Sequence, residues 1–231
     1  MKVTYLRHSG FVVEYAELVL IFDYYKGTLP DFSADKKIYV FVSHRHHDHF
    51  QKTIFEWKER YPDIKYILSD DIEEKGPEGC TCYIGPREKI TVDDLGIQTF
   101  RSTDEGVAFL IEGKGKVLYH AGDLNWWHWE EESDVYNEMM RRKYQHEISK
   151  IGYDGIDIAF VPLDPRQEKQ ELWGLDYFMK HTNTERVFPM HMWDGYEVYD
   201  RLMNDPQAES YKDRVMHITG PQQIFEWEDE I

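Results

Sequence analysis

A chain of 231 residues, 41% hydrophobic and 15% aromatic, has ample material for a packed core, which excludes a disordered protein. Its formal charge of −17 repels nucleic acid and anionic membrane at long range, which counts against a nuclease and against a membrane-surface protein. No stretch nears the roughly 18 apolar residues of a membrane span, and Arg7 and His8 interrupt the N-terminal apolar run as no signal peptide would tolerate.

Cys80 and Cys82, one residue apart, make no disulfide framework, so a reducing cytoplasm is the expected setting. No Pro/Ser/Gly-rich linker or charge run divides the chain, and a single domain over 1–231 is expected. Sequence gives no oligomeric state.

The opening "KVTYL", "GFVVEY" and "LVLIFD" are short, β-branched and aromatic, and each reads as a strand. "KIYVFVS" is almost continuously apolar, as a strand buried on both faces would be. "QKTIFEWKERYP" predicts a helix closed by Pro62. "KYILSD", "CTCYIG", "KITVDDLGIQTFRST" and "VAFLIEGKGKVLYHAGD" supply further strands, with a hairpin turn at 113–115. Beyond Asp123, "SDVYNEMMRRKYQHEISKIG" predicts a long helix with Ser133 as N-cap and Gly152 as stop. Then come a buried strand in "GIDIAFVPLDP", a helix through "EKQELWGLDYFMKHT", a strand in "ERVFPMHMW", a helix in "GYEVYDRLMND", and strands in "VMHITG" and "QQIFEWE". Two sets of strands, each with helices, predict an α/β sandwich rather than an all-β barrel.

Between "KIYVFVS" and the helix that follows it lies "HRHHDHF". An internal strand-to-helix junction is no place for an expression tag. In an extended segment side chains two apart point the same way, so His44 and His46 face one point. Asp48 and His49 come where the chain turns and project toward neighbouring space. Two such pairs suit two adjacent ions of zinc, manganese or iron, each needing ligands from elsewhere. His47 points away.

His44-x-His46-x-Asp48-His49 behind an apolar strand resembles the signature of the metallo-β-lactamase-fold superfamily. The resemblance implies an αβ/βα four-layer sandwich with a metal site at one sheet edge. It asks for three more metal-binding positions. Gly122-Asp123, after an apolar strand, matches the bridging aspartate, and His191 in "VFPMHMW" matches the late histidine, ahead of His217.

The remaining position, usually a histidine, falls in "FRSTDEGVAFLIE", where Asp104 is the nearest residue able to coordinate and His120 the fallback. A carboxylate there favours manganese or iron over zinc. Relatives that reduce oxygen place a glutamate where His46 stands, so redox chemistry is disfavoured.

The resemblance implies two divalent ions, with zinc the first expectation, that activate a water and polarise a carbonyl or phosphoryl group of a small-molecule substrate. Asp48 is the expected proton acceptor or orienter of that water. Lactones, esters, thioesters and phosphoesters all fall within the family's range, and the branch akin to sugar-phosphate lactonases shares "YLRHSGFVVEY" and "IFDYY", which bring His8 and Asp23 into view.

Trp126, Trp127 and Trp129 are expected either to wall a pocket or to pack a core, and Asp164 with Arg166 either to meet a substrate anion or to form a surface pair. The competing readings are a non-catalytic metal-dependent sensor and, further off, a nuclease.

Overall fold

The computed structural model describes residues 1–152 and 155–227; Glu228, at the end of the last expected strand, lies outside them. Contacts divide the chain into two compact units, Met1–Gly85 with the chain from Thr219 onward, and Pro86–Ile218.

The first unit is built on a seven-stranded sheet in the order β13-β1-β2-β3-β4-β5-β6. β1 (Lys2–Arg7), β2 (Gly10–Glu14) and β3 (Leu18–Phe22) run antiparallel, and β13 (Ile224–Glu226) closes one edge against β1. From β3 onward, β4 (Lys37–Val42), β5 (Ile64–Ser69) and β6 (Thr81–Ile84) are parallel. This is why "LVLIF" and "KIYVFV" are nearly unbroken apolar runs: parallel strands are covered on both faces, and both runs are buried almost throughout. On one face Val19, Ile21, Val40 and Leu68 join Ile54 and Tyr61 in a single cluster. Each fully buried aliphatic side chain there contributes about 1.5–3 kcal/mol.

The expected helix after the histidine cluster forms as a 3₁₀ helix, Lys52–Glu59. It is short, its N-cap Gln51 makes no side-chain capping bond, and its last turn closes by Arg60 N–H to Trp57 O at 3.0 Å.

The second unit carries a six-stranded sheet, β12-β11-β10-β9-β8-β7. β7 (Lys89–Val92), β8 (Leu95–Arg101), β9 (Val107–Gly113) and β10 (Lys116–His120) form an antiparallel meander. Its β9–β10 turn is Lys114-Gly115, both at positive φ, the two-residue hairpin that twisted strands favour. β11 (Ile156–Pro162) and β12 (Thr184–Met190) then add in parallel.

α1 (Asp134–Ile148) starts at Ser133, whose Oγ accepts from Tyr136 N–H, and it ends before the expected Gly152. α2 (Trp173–His181) is shorter than expected, because Pro165–Gln170 forms a separate 3₁₀ segment with a kink at Glu168. α3 (Val198–Asn204) follows. "VMHITG" forms no strand but only an isolated bridge of Val215 to Val187, and His217, expected mid-strand, is exposed and stacked on Tyr199 at 3.9 Å.

Candidate metal centre

In both units the chemistry-bearing residues sit just past the carboxyl ends of parallel strands, where open α/β sheets bind ligands. Asp23 follows β3 and Ser43-His44 follow β4 in the first unit; Asp164 follows β11 and His191 follows β12 in the second.

In the first unit the sequence folds "SHRHHDHF" into a tight turn, with the N–H groups of His49 and Phe50 both bonded to His46 O. Buried Asp23 organises it. Its carboxylate accepts the Ser43 backbone N–H at 2.7 Å, the Ser43 hydroxyl at 2.6 Å and His49 Nδ1 at 2.7 Å. The hydroxyl has one proton, and it donates that proton to the Asp23 carboxylate. Ser43 Oγ, 2.9 Å from His44 Nδ1, therefore accepts, so His44 carries its proton on Nδ1. His49 does the same through Asp23. Both rings thus have their Nε2 lone pairs set for coordination, the tautomer that a carboxylate–histidine pair imposes at metal sites.

His44 Nε2 meets His46 Nδ1 at 3.0 Å. Two ligand atoms about 2.0–2.1 Å from a shared zinc at a near-tetrahedral angle lie about 3.3 Å apart, so the donors present fit a divalent ion. Asp48 Oδ2 lies 3.3 Å from His8 Nε2. Burial alone would raise the Asp48 pKa, but His8 and His49 hold this carboxyl well below the usual carboxylate range, so it is ionised and able to act as a ligand. His47 is exposed, as expected, with its ring edge-on to Tyr25 and its Nδ1 3.7 Å from Asp48 Oδ1.

In the second unit His191 Nε2 is 2.7 Å from Asp123 Oδ1, and both residues are buried. On the other side of the ring Nδ1 faces Asp164 Oδ2 at 3.4 Å. Asp164 is wholly buried and accepts from Arg166 three ways: backbone N–H at 3.0 Å, Nε at 2.9 Å and Nη2 at 2.5 Å. The pair is therefore a brace behind a histidine, with Asp164 buried and Arg166 exposed. Burial would raise the Asp164 pKa, yet His191 and Arg166 bring it below its ordinary value.

Trp126 packs on Trp173 and Tyr177 of α2. Trp127 donates its indole N–H to Asp123 O at 2.9 Å, lies 5.7 Å from the His191 ring and stacks on Trp129. The Arg166 guanidinium sits 5.8 Å from the Trp129 ring and 5.1 Å from that of Trp193. His120 is buried against Phe160, with Gly122 N–H bonded to its Nδ1.

Asp104 is exposed, and its backbone N–H bonds to Ser102 Oγ, the arrangement of a turn residue.

Four residues that the sequence did not single out do structural service here. Ser43 links Asp23 to His44, and Trp193 faces Arg166. Thr103 Oγ1 bonds both the carbonyl and the N–H of Asn125, at 2.7 Å and 3.0 Å, and Asn125 reaches Gln167. His8 and Asp23 in the first unit and His191 and Trp193 in the second all hold positive φ, a strain that no sequence pattern reveals.

The family described as "Beta-lactamase superfamily domain" matches residues 2–135. A UPF0173 metal-dependent hydrolase of Alkaliphilus metalliredigens is 34% identical, with 97% of this chain and 99% of that protein aligned. The chain belongs to this superfamily of metal-dependent hydrolases.

A second UPF0173 metal-dependent hydrolase, from Desulforamulus reducens, is 28% identical over 90% of each chain. Among solved structures, Igni18, a metallo hydrolase of Ignicoccus hospitalis, superposes with a TM-score of 0.66 at 23% identity, covering 98% of this chain and 99% of its own. The metallo-β-lactamase fold expected from the histidine cluster is the fold of this chain.

Proposed function

We propose that this superfamily member hydrolyses a small metabolite carrying a lactone, ester, thioester or phosphoester, with a dinuclear centre as its cofactor and zinc as the first candidate metal. The proposed donors are His44, His46, Asp48 and His49 in the first unit and Asp123 and His191 in the second. Asp104 is left out because its side chain is exposed. The observation that carries the reading is the proton bookkeeping around Asp23 and Ser43, which presents the Nε2 atoms of both His44 and His49 as lone pairs.

When bound, such ions supply Lewis-acid polarisation and a nucleophile at neutral pH. The chain's own residues do the rest. Asp48, ionised, would hold or take the proton of the attacking water. Asp23 and Asp164 fix the rings of His49 and His191. Trp127, beside His191, and the Trp129–Arg166–Trp193 stack give a substrate an apolar wall with a cationic edge.

No described helix is long and apolar enough to cross a membrane, and Cys80 and Cys82 form no disulfide, which supports the cytoplasm as the setting. The charge of −17 favours a small-molecule substrate over nucleic acid.

The test is metal analysis of the purified protein followed by a panel of lactone, thioester, ester and phosphoester substrates. Turnover that chelation abolishes and zinc or manganese restores is expected. Bound metal with no turnover across the panel would move the assignment to a metal-dependent sensor.

A further inference from the structure

We infer that His8 is a metal ligand, completing with Asp48 and His49 a cation site built within the first unit. This rests on the metal-dependent reading above and adds to it a donor that the family pattern of Asp48, His49 and a late histidine does not ask for.

His8 occupies a two-residue hairpin turn, since Arg7 pairs directly with Gly10 across β1 and β2. Its φ is 57°, in the left-handed region that hairpin turns of this length usually give to glycine, asparagine or aspartate. A histidine is therefore a poor choice for the turn itself. The turn is instead what holds the imidazole in place. The side chain is not released to solvent as most turn residues are: His8 is 1% exposed.

Its surroundings are donor atoms. Nε2 lies 3.3 Å from Asp48 Oδ2, and the ring stands edge-on to that of His49 at a centroid distance of 5.4 Å. His49 is already bonded through Nδ1 to Asp23, so Nε2 is the atom it has for coordination. Two imidazole nitrogens and one carboxylate oxygen are an ordinary protein donor set for zinc.

A plain ion pair between His8 and Asp48 is the competing account, and metal binding by the His8 variants separates the two. Two donors on one ion with bonds near 2.0–2.1 Å sit about 3.3 Å apart, a spacing that the 3.3 Å between His8 Nε2 and Asp48 Oδ2 accommodates. The His44–His46 pair shows similar spacing, 3.0 Å, among residues of the family signature.

The experiment is a zinc titration of metal-free protein against a competing chelator, with metal stoichiometry measured after dialysis, on wild type, His8→Asn and His8→Gly. Both replacements suit a positive φ, and glycine relieves the turn, so the metal-free variants should melt at or above the wild-type temperature. The wild type is expected to take two equivalents, and both variants to hold the weaker one at least tenfold less tightly. With cobalt in place of zinc, the visible d–d band should lose intensity or shift in the variants alone.

If both variants retain every wild-type equivalent at unchanged affinity, His8 is not a ligand and the hydrolase reading stands. A wild type that binds one equivalent, weakened by either variant, keeps His8 as its ligand and removes the dinuclear centre. Wild-type protein that binds no divalent ion would overturn both.

Discussion

Asp164 and His191 form a braced pair: the buried carboxylate faces His191 Nδ1 at 3.4 Å while Arg166 grips it through backbone and guanidinium alike. The opposite nitrogen, Nε2, is thereby aimed at Asp123. Losing such a support commonly costs 10–100-fold in metal affinity. Asp164→Asn preserves shape and burial while removing the charge that holds the ring. Its metal affinity, measured by chelator competition, is expected to fall by about that factor, with a far-ultraviolet spectrum like that of the wild type. Unchanged affinity would mean that His191 is oriented by other contacts.

Gly174 reverses an ordinary expectation. In an exposed helix interior Gly→Ala stabilises by roughly 1 kcal/mol. Gly174 lies in α2, yet a Cβ there would stand 1.7 Å from Asn125 Oδ1 and 3.4 Å from Trp126 N. Asn125 belongs to the loop that carries Asp123 and is tied by Thr103 and Gln167, so it has little room to yield. Gly174→Ala should therefore destabilise by about 1–3 kcal/mol in urea unfolding. It should also weaken metal binding, because the loop that moves is the one holding Asp123. A stabilised variant would show that the loop yields freely.

The strands were the most legible part of this molecule, because β-branched and aromatic runs such as "KIYVFV" and "LVLIF" declare both their type and their two-sided burial. The histidine cluster was equally plain, since its spacing alone separates His44 and His46 from His47. What local pattern did not reveal depends on partners distant in sequence. Ser43 looks like any serine at a strand end until Asp23, twenty residues earlier, claims its proton. Asp164 with Arg166 reads as a surface pair until β11 and β12 lie side by side and bring His191 to it. "VMHITG" has strand propensity but meets β12 at Val187 alone, and without a ladder its residues stay irregular.

Asp104 has a simple test. Its exposure and its backbone tie to Ser102 are those of a turn. Asp104→Ala should leave metal stoichiometry and affinity unchanged, with a stability change within about 0.5 kcal/mol, as for most surface substitutions. A lost equivalent of metal in that variant would restore this carboxylate as the substitute for the missing histidine.

Glu147 is expected to contribute to acid stability in the second unit. It is 3% exposed, and its carboxylate accepts from Arg87 Nε and from the Arg101 backbone N–H, both at 3.1 Å, with Lys150 3.4 Å away. Burial alone would raise its pKa. The Arg87 guanidinium and the Arg101 N–H outweigh that and leave it below the ordinary value. A carboxyl whose pKa is lower folded than unfolded binds fewer protons in the native state, so it stabilises above the unfolded pKa of about 4.3. That contribution disappears as pH falls through the folded pKa. Glu147→Gln keeps the side-chain volume and removes the charge. At pH 7 it should lower stability by about 1.5–3 kcal/mol, the scale of hydrogen bonds to a charged group. Urea midpoints of the two proteins should then converge as the pH is taken below the carboxylate range. A gap between them that stays constant from neutral to acid pH would place the cost in packing instead of in the charge.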